Sequence, residues 1–120
     1  MAVFRECFFG QLVSAIKLPE EIFYTDWRSD HLFCPGLILI YESNRHPGKY
    51  YAYLFPSALH EEYQPYLRTS LGDMSRDDSS VTITTAHSLY QFTPGDFDLT
   101  PLEKKELILF SQQHFDQMPK

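Results

Sequence analysis

The chain has 120 residues, of which 43 % are hydrophobic and 16 % aromatic, and it carries a formal net charge of −6 at pH 7. Ten Phe, eight Tyr and one Trp exclude intrinsic disorder, and the length suits one domain, 1–120. The basic residues form no cluster beyond Lys104-Lys105, which argues against nucleic acid or an anionic membrane as partner.

Taken in chain order, Phe4, Cys7, Phe8, Leu12, Ala15 and Ile16 recur at three- and four-residue spacing. That spacing predicts an amphipathic helix over 3–17. Pro19-Glu20-Glu21 opens a short second helix followed by a loop, although Phe23, Thr25 and Trp27 also alternate as a strand would. Leu37 to Tyr41, apolar at every position, predicts a central strand over 36–43 that is covered on both faces. A polar turn, Ser43 to Gly48, then leads into a second strand over 50–55, completing a hairpin. Ser57 caps a middle helix carrying Leu59, Tyr63, Tyr66 and Leu67 on one face, with Pro65 as a breaker. Gly72 to Ser80 reads as a mobile polar loop, and Val81 to Thr85 as a β-branched strand. Leu89, Tyr90 and Phe92 continue that strand past His87-Ser88 or form its hairpin partner. Thr93-Pro94-Gly95-Asp96 is a turn signal. Thr100-Pro101-Leu102-Glu103 is a capping box, starting a helix that runs to about 117. The expected class is therefore α+β: a small antiparallel sheet of three to five strands packed with N-terminal, middle and C-terminal helices.

Chemistry-bearing motifs are sparse. No two of His31, His46, His60, His87 and His114 lie three or four apart, so no helix presents a two-histidine metal face. His60-Glu61-Glu62 starts like a zinc-protease signature, but Gln64 stands where the second histidine is needed. Asp73, Asp77 and Asp78 lack the spacing of a calcium loop. Cys7 and Cys34 sit among apolar residues and read as buried free thiols in a reducing compartment, which suits a cytoplasmic protein. The chain has no phosphate-cradling glycine loop and no nucleophile elbow. No metal, cofactor or catalytic residue is expected on these grounds.

The remaining signal is aromatic and acidic. Tyr50, Tyr51, Tyr53, Tyr63 and Tyr66 cluster, and residues 61–120 hold ten acidic groups against five basic. Tyrosine is favoured at binding surfaces, and acidic charge speeds encounter with a basic patch. The expected function is a non-enzymatic protein-binding module of inhibitor, immunity-type or adaptor kind. Its partner-binding surface would include Tyr51, Tyr53, Glu61, Glu62, Asp77 and Asp78. One alternative is a small enzyme or ligand-binding domain with a pocket between sheet and helices, for which His31, Cys34, Tyr53 and His87 are first candidates. Another is a homodimer or larger homo-oligomer joined through the apolar C-terminal helix.

Overall fold

The computed structural model describes residues 2–57 and 66–114. In chain order its elements are β1 (Ala2–Lys17), β2 (Ile22–Phe23), a 3₁₀ turn (Trp27–His31), β3 (Gly36–Ser43), β4 (Tyr50–Pro56), β5 (Leu67–Arg68), β6 (Gly72–Arg76), β7 (Val81–Thr85), β8 (Ser88–Pro94) and α1 (Pro101–His114). The pairing runs β1-β3-β4-β6-β7-β8 and returns to β1, so six strands close a barrel; β2 pairs with β1 and β5 with β4 outside this ring. The fold is a mostly-β barrel with one helix at its C-terminus, which corrects the expected α+β class with N-terminal and middle helices.

The expected N-terminal helix is the long strand β1. Its first part pairs antiparallel with β3, from Ala2↔Ser43 to Gly10↔Gly36. Its second part pairs antiparallel with β8, from Gly10↔Pro94 to Lys17↔Ser88. The helix-like spacing has a physical cause. Phe8 and Leu12 share the inward parity of an alternating strand, but the inward position between them is Gly10, which shows no apolar side chain. A register shift between Leu12 and Ser14 then moves the next inward residue to Ala15. The result, 8-12-15, mimics a helix stripe. Gly10 itself sits where β1 exchanges one neighbour for the other, and a Cβ there would lie 3.1 Å from Pro94 Cα.

Closure of the barrel makes two apolar layers. The inner one gathers Leu12, Ala15, Ile38, Ile40, Ala52, Leu54, Leu67, Val81, Ile83, Tyr90 and Phe92. The outer one gathers Leu37, Leu39, Tyr41, Tyr53 and Phe55 with Leu99 and Leu107, between the barrel wall and α1. β3 and β4 therefore bury both faces, as the continuous apolar run 37–41 requires. The hairpin register, Gly36↔Pro56 to Glu42↔Tyr50, follows. Thr100 and Glu103 exchange the two capping bonds: the Glu103 amide donates to Thr100 Oγ1 at 3.1 Å and the Thr100 amide to Glu103 Oε1 at 3.0 Å.

Three further expectations change. Residues 20–31 hold the two-residue strand β2 and the 3₁₀ turn in place of a short helix. Of the middle helix, 58–65 lie outside the described residues, and its expected C-terminal part is the strand β5. The expected mobile loop 72–80 is mostly β6, paired with β7 from Gly72↔Thr85 to Arg76↔Val81. The β6 inner face offers only Gly72 and Met74, with Asp73, Ser75 and Arg76 exposed, so its sequence looks like a loop. β8 is the hairpin partner of β7, with Val81↔Phe92 and Thr84↔Leu89 in register. No helix among the described residues is long and apolar enough to cross a membrane.

Candidate functional site

A groove on the barrel surface centres on Arg68, and local hydrogen bonding explains how it forms. Along β5 the parity alternates: Leu67 is buried, Arg68 exposed and Thr69 buried. The Thr69 amide donates to the Ala52 carbonyl at 2.9 Å, and the Ala52 amide donates to Thr69 Oγ1, also at 2.9 Å. The threonine hydroxyl thus replaces a ladder carbonyl. Pairing with β4 stops, the chain turns outward over 70–71, and Leu71 is left exposed. Pairing of β4 with β6 resumes only at Tyr50↔Gly72.

Arg68 stands opposite Tyr53 in the β4–β5 register. Its guanidinium lies 5.1 Å from the Tyr51 ring centroid and 5.5 Å from that of Tyr53, within cation–π range. A cleft of about 370 Å³ on one side is lined by Arg68, Arg45, Ser43, Tyr51, Thr69, Ser70 and Leu71. A second cleft of about 270 Å³ shares Arg68, Ser70 and Leu71, and continues to Tyr24, Trp27, Arg28, His87, Ser88 and Tyr90. In the second cleft Arg28 is fixed in place. It lies 4.3 Å from the Tyr24 ring centroid and 4.9 Å from that of Trp27. It donates to the Tyr90 hydroxyl at 3.1 Å and is paired with Asp26. Burial opposes its charge, but the Tyr90 bond and the neighbouring acid outweigh that, and its pKa is raised. No carboxylate lines either cleft among the described residues.

Of the residues expected to bind a partner, four are described: Tyr51 and Tyr53 on β4, and Asp77 and Asp78 between β6 and β7. Tyr53 is buried in the outer layer among the Tyr41, Phe55 and Tyr66 rings, and Tyr51 is half-buried, stacked on Tyr41 with ring centroids 5.5 Å apart. Burial raises both phenol pKa values, against the pull of Arg68, and pushes Tyr41 up to about 12, so these rings are neutral hydrophobic wall. Tyr51 contributes to the groove and Tyr53 supports Arg68 from below. Glu61 and Glu62 lie outside the described residues. Asp77 turns inward on its own loop, accepting from the amides of Ser79 and Ser80 and from both serine hydroxyls. Those bonds lower its pKa. Asp78 is exposed beside it.

Of the candidate catalytic set, His31 and Cys34 are neighbours at the 3₁₀ turn, where the Cys34 amide donates to the His31 carbonyl at 3.4 Å, and Tyr53 and His87 lie on other elements. His31 is buried in the 3₁₀ turn, edge-on to Trp27. The Cys34 thiol donates to the Asp30 carbonyl at 3.4 Å, and burial raises its pKa, which keeps it a poor nucleophile. Tyr53 belongs to the outer layer, whereas His87 is exposed at the β7–β8 turn and lines the second cleft. Both cysteines are free, but Cys7 is exposed on β1 and Cys34 is half-buried, which corrects their expected burial. No group of three or more His, Cys, Asp or Glu among the described residues is placed to hold a metal ion.

Arg28, Arg45 and Arg68 were not expected as site residues. They lie far apart in sequence, and no local motif links them; only barrel closure brings the β3–β4 turn, β5 and the 3₁₀ turn together. Thr69 holds Arg68 in register, so Thr69→Val is expected to leave the Ala52 amide without its acceptor. The cost should be about 1–3 kcal/mol, read as a lower urea midpoint. Comparison with known proteins finds no matching family model, no matching curated protein and no matching solved structure.

Proposed function

We propose that this chain is a non-enzymatic binding module that holds an oxyanion of its ligand, a carboxylate or a phosphate, in the groove at Arg68. One observation carries the reading. In a chain with sixteen acidic and ten basic residues, two clefts that share a wall contain Arg45 and Arg68, beside an Arg28 already held by Asp26, and no carboxylate lines them among the described residues. Guanidinium groups bind oxyanions through paired charge-assisted hydrogen bonds, and the flat Tyr51 face restricts Arg68 in advance, which lowers the ordering cost of binding. Ser43 and Ser70 add hydroxyl donors to the first cleft.

The function class is the one expected from sequence, with the recognition surface moved from the tyrosines and acids to the arginines. The favoured ligand is an acidic segment of a protein partner. The free thiols support a cytoplasmic setting as part of this reading. An NMR titration of amide shifts tests it with two probes, a tetraglutamate peptide and inorganic phosphate. Shifts should map to 43–45 and 68–71, and Arg68→Ala should weaken binding roughly ten- to a hundredfold, as expected for loss of a charged hydrogen-bonding partner. Arg76→Ala, which removes a cation paired with Glu6 that lines neither cleft, should leave affinity unchanged. Tighter binding of the peptide identifies an acidic segment, and tighter binding of phosphate a phosphorylated ligand. If neither probe binds at millimolar concentration, or Arg68→Ala binds as the parent does, the proposal fails.

A further inference from the structure

The helix α1 is apolar on the side that faces away from the barrel as well as on the side that faces it. Leu107 and Ser111 are buried against the wall, and Phe110 packs on the outer layer. On the opposite side Leu102 is 65 % exposed and Leu109 is 50 % exposed, and Ile108, on the flank between, is also exposed. A helix apolar on both sides is characteristic of one that is covered on both sides.

The charges beside this stripe indicate what covers it. Residues seven apart on a helix lie nearly in line, so Leu102 and Leu109 form one ridge. At about 100° per residue, Lys105 falls about 50° to one side of that ridge and Glu106 about 50° to the other. Both are exposed, and neither is in an ion pair among the described residues. Consider a second copy related by a two-fold axis running parallel to α1. The leucine ridges then meet in register, and the Lys105 flank of each helix faces the Glu106 flank of the other. The two residues are offset along the axis by only one residue's rise, about 1.5 Å. Two ion pairs result, one on each side of the seam. An antiparallel pair would instead set lysine on lysine and glutamate on glutamate. The barrel lies behind each helix, so the two bodies sit on opposite sides of the seam.

We infer that α1 is a homodimer contact in which two copies pack with their helices parallel, through Leu102 and Leu109 flanked by reciprocal Lys105–Glu106 pairs. The contact rests on one helix face and is small, so the dimer is weak and dependent on concentration. It is independent of the groove at Arg68.

Sedimentation equilibrium over roughly 10 µM to 1 mM, at an ionic strength of about 0.15 M to screen the net negative charge, reads the association directly. The parent chain should move from 14.1 kDa toward twice that mass. Lys105→Glu places like charges on both sides of the seam and should weaken the dimer at least tenfold. The double exchange Lys105→Glu with Glu106→Lys restores both pairs and should recover affinity to within about twofold of the parent; opposite charges facing across the contact are the reason for the rescue. Leu109→Ser should leave a monomer, with circular dichroism confirming that it is folded. A parent chain that stays at 14.1 kDa throughout would overturn the inference, and so would a double exchange as weak as the single one.

Discussion

Phe55→Ala is expected to cost about 3–5 kcal/mol of folding stability, a large share of the roughly 5–15 kcal/mol available to a domain of this kind. Phe55 is fully buried between the barrel wall and α1. Its ring stacks on Tyr53 at 6.1 Å between centroids, tilts against Tyr66 at 5.4 Å and meets the Phe110 ring edge-on at 5.8 Å. Truncation removes the apolar area and all three aromatic contacts, and the strands beneath cannot collapse into the space because their own pairing holds them. Urea unfolding followed by tryptophan fluorescence should show a lower midpoint with an unchanged slope. A loss below about 1 kcal/mol would mean that α1 does not pack on β4 in solution.

Gly36→Ala should cost at least about 3 kcal/mol, because the clash is with backbone and no rotamer relieves it. A Cβ at position 36 would lie 2.8 Å from both the Phe55 carbonyl carbon and Pro56 Cα, and closer still to the Phe55 carbonyl oxygen. Strands β3 and β4 would have to separate where Gly36 also pairs with Gly10 of β1. Gly48→Ala makes a useful contrast. Nothing lies within 4 Å of a Cβ there, and the cost comes only from its φ of +86°, about 1 kcal/mol. Thermal unfolding of the two variants should rank them in that order; equal losses would remove the close approach of β3 and β4 as the cause.

The misread elements share one cause: alternation is legible only where inward positions carry apolar side chains. β1 places Gly10 at an inward position and then shifts register, so its visible apolar residues fall at helical intervals. β6 has Gly72 and Met74 as its whole inner face. The groove was hidden for a different reason. Arg28, Arg45 and Arg68 stand in no sequence motif, and the acidic balance of the chain points instead to its carboxylates. Yet Asp77, one of the acids expected to meet a partner, spends its oxygens on Ser79 and Ser80 within its own turn.

Local chemistry alone was enough for the β3–β4 hairpin, the β7 strand and the start of α1. A continuous apolar run, a β-branched run and a Thr-Pro-Leu-Glu capping box are satisfied by near neighbours and act within a few residues. Barrel closure was not accessible in this way. It depends on β1 exchanging β3 for β8 at Gly10, a pairing between residues more than eighty positions apart. Closure decides which face of each strand is interior, and so it decides that Tyr53 is wall, that Arg68 lies across it, and that three distant arginines border one groove. Such contacts are stabilised only when the whole ring of strands forms, and no short stretch of sequence records them.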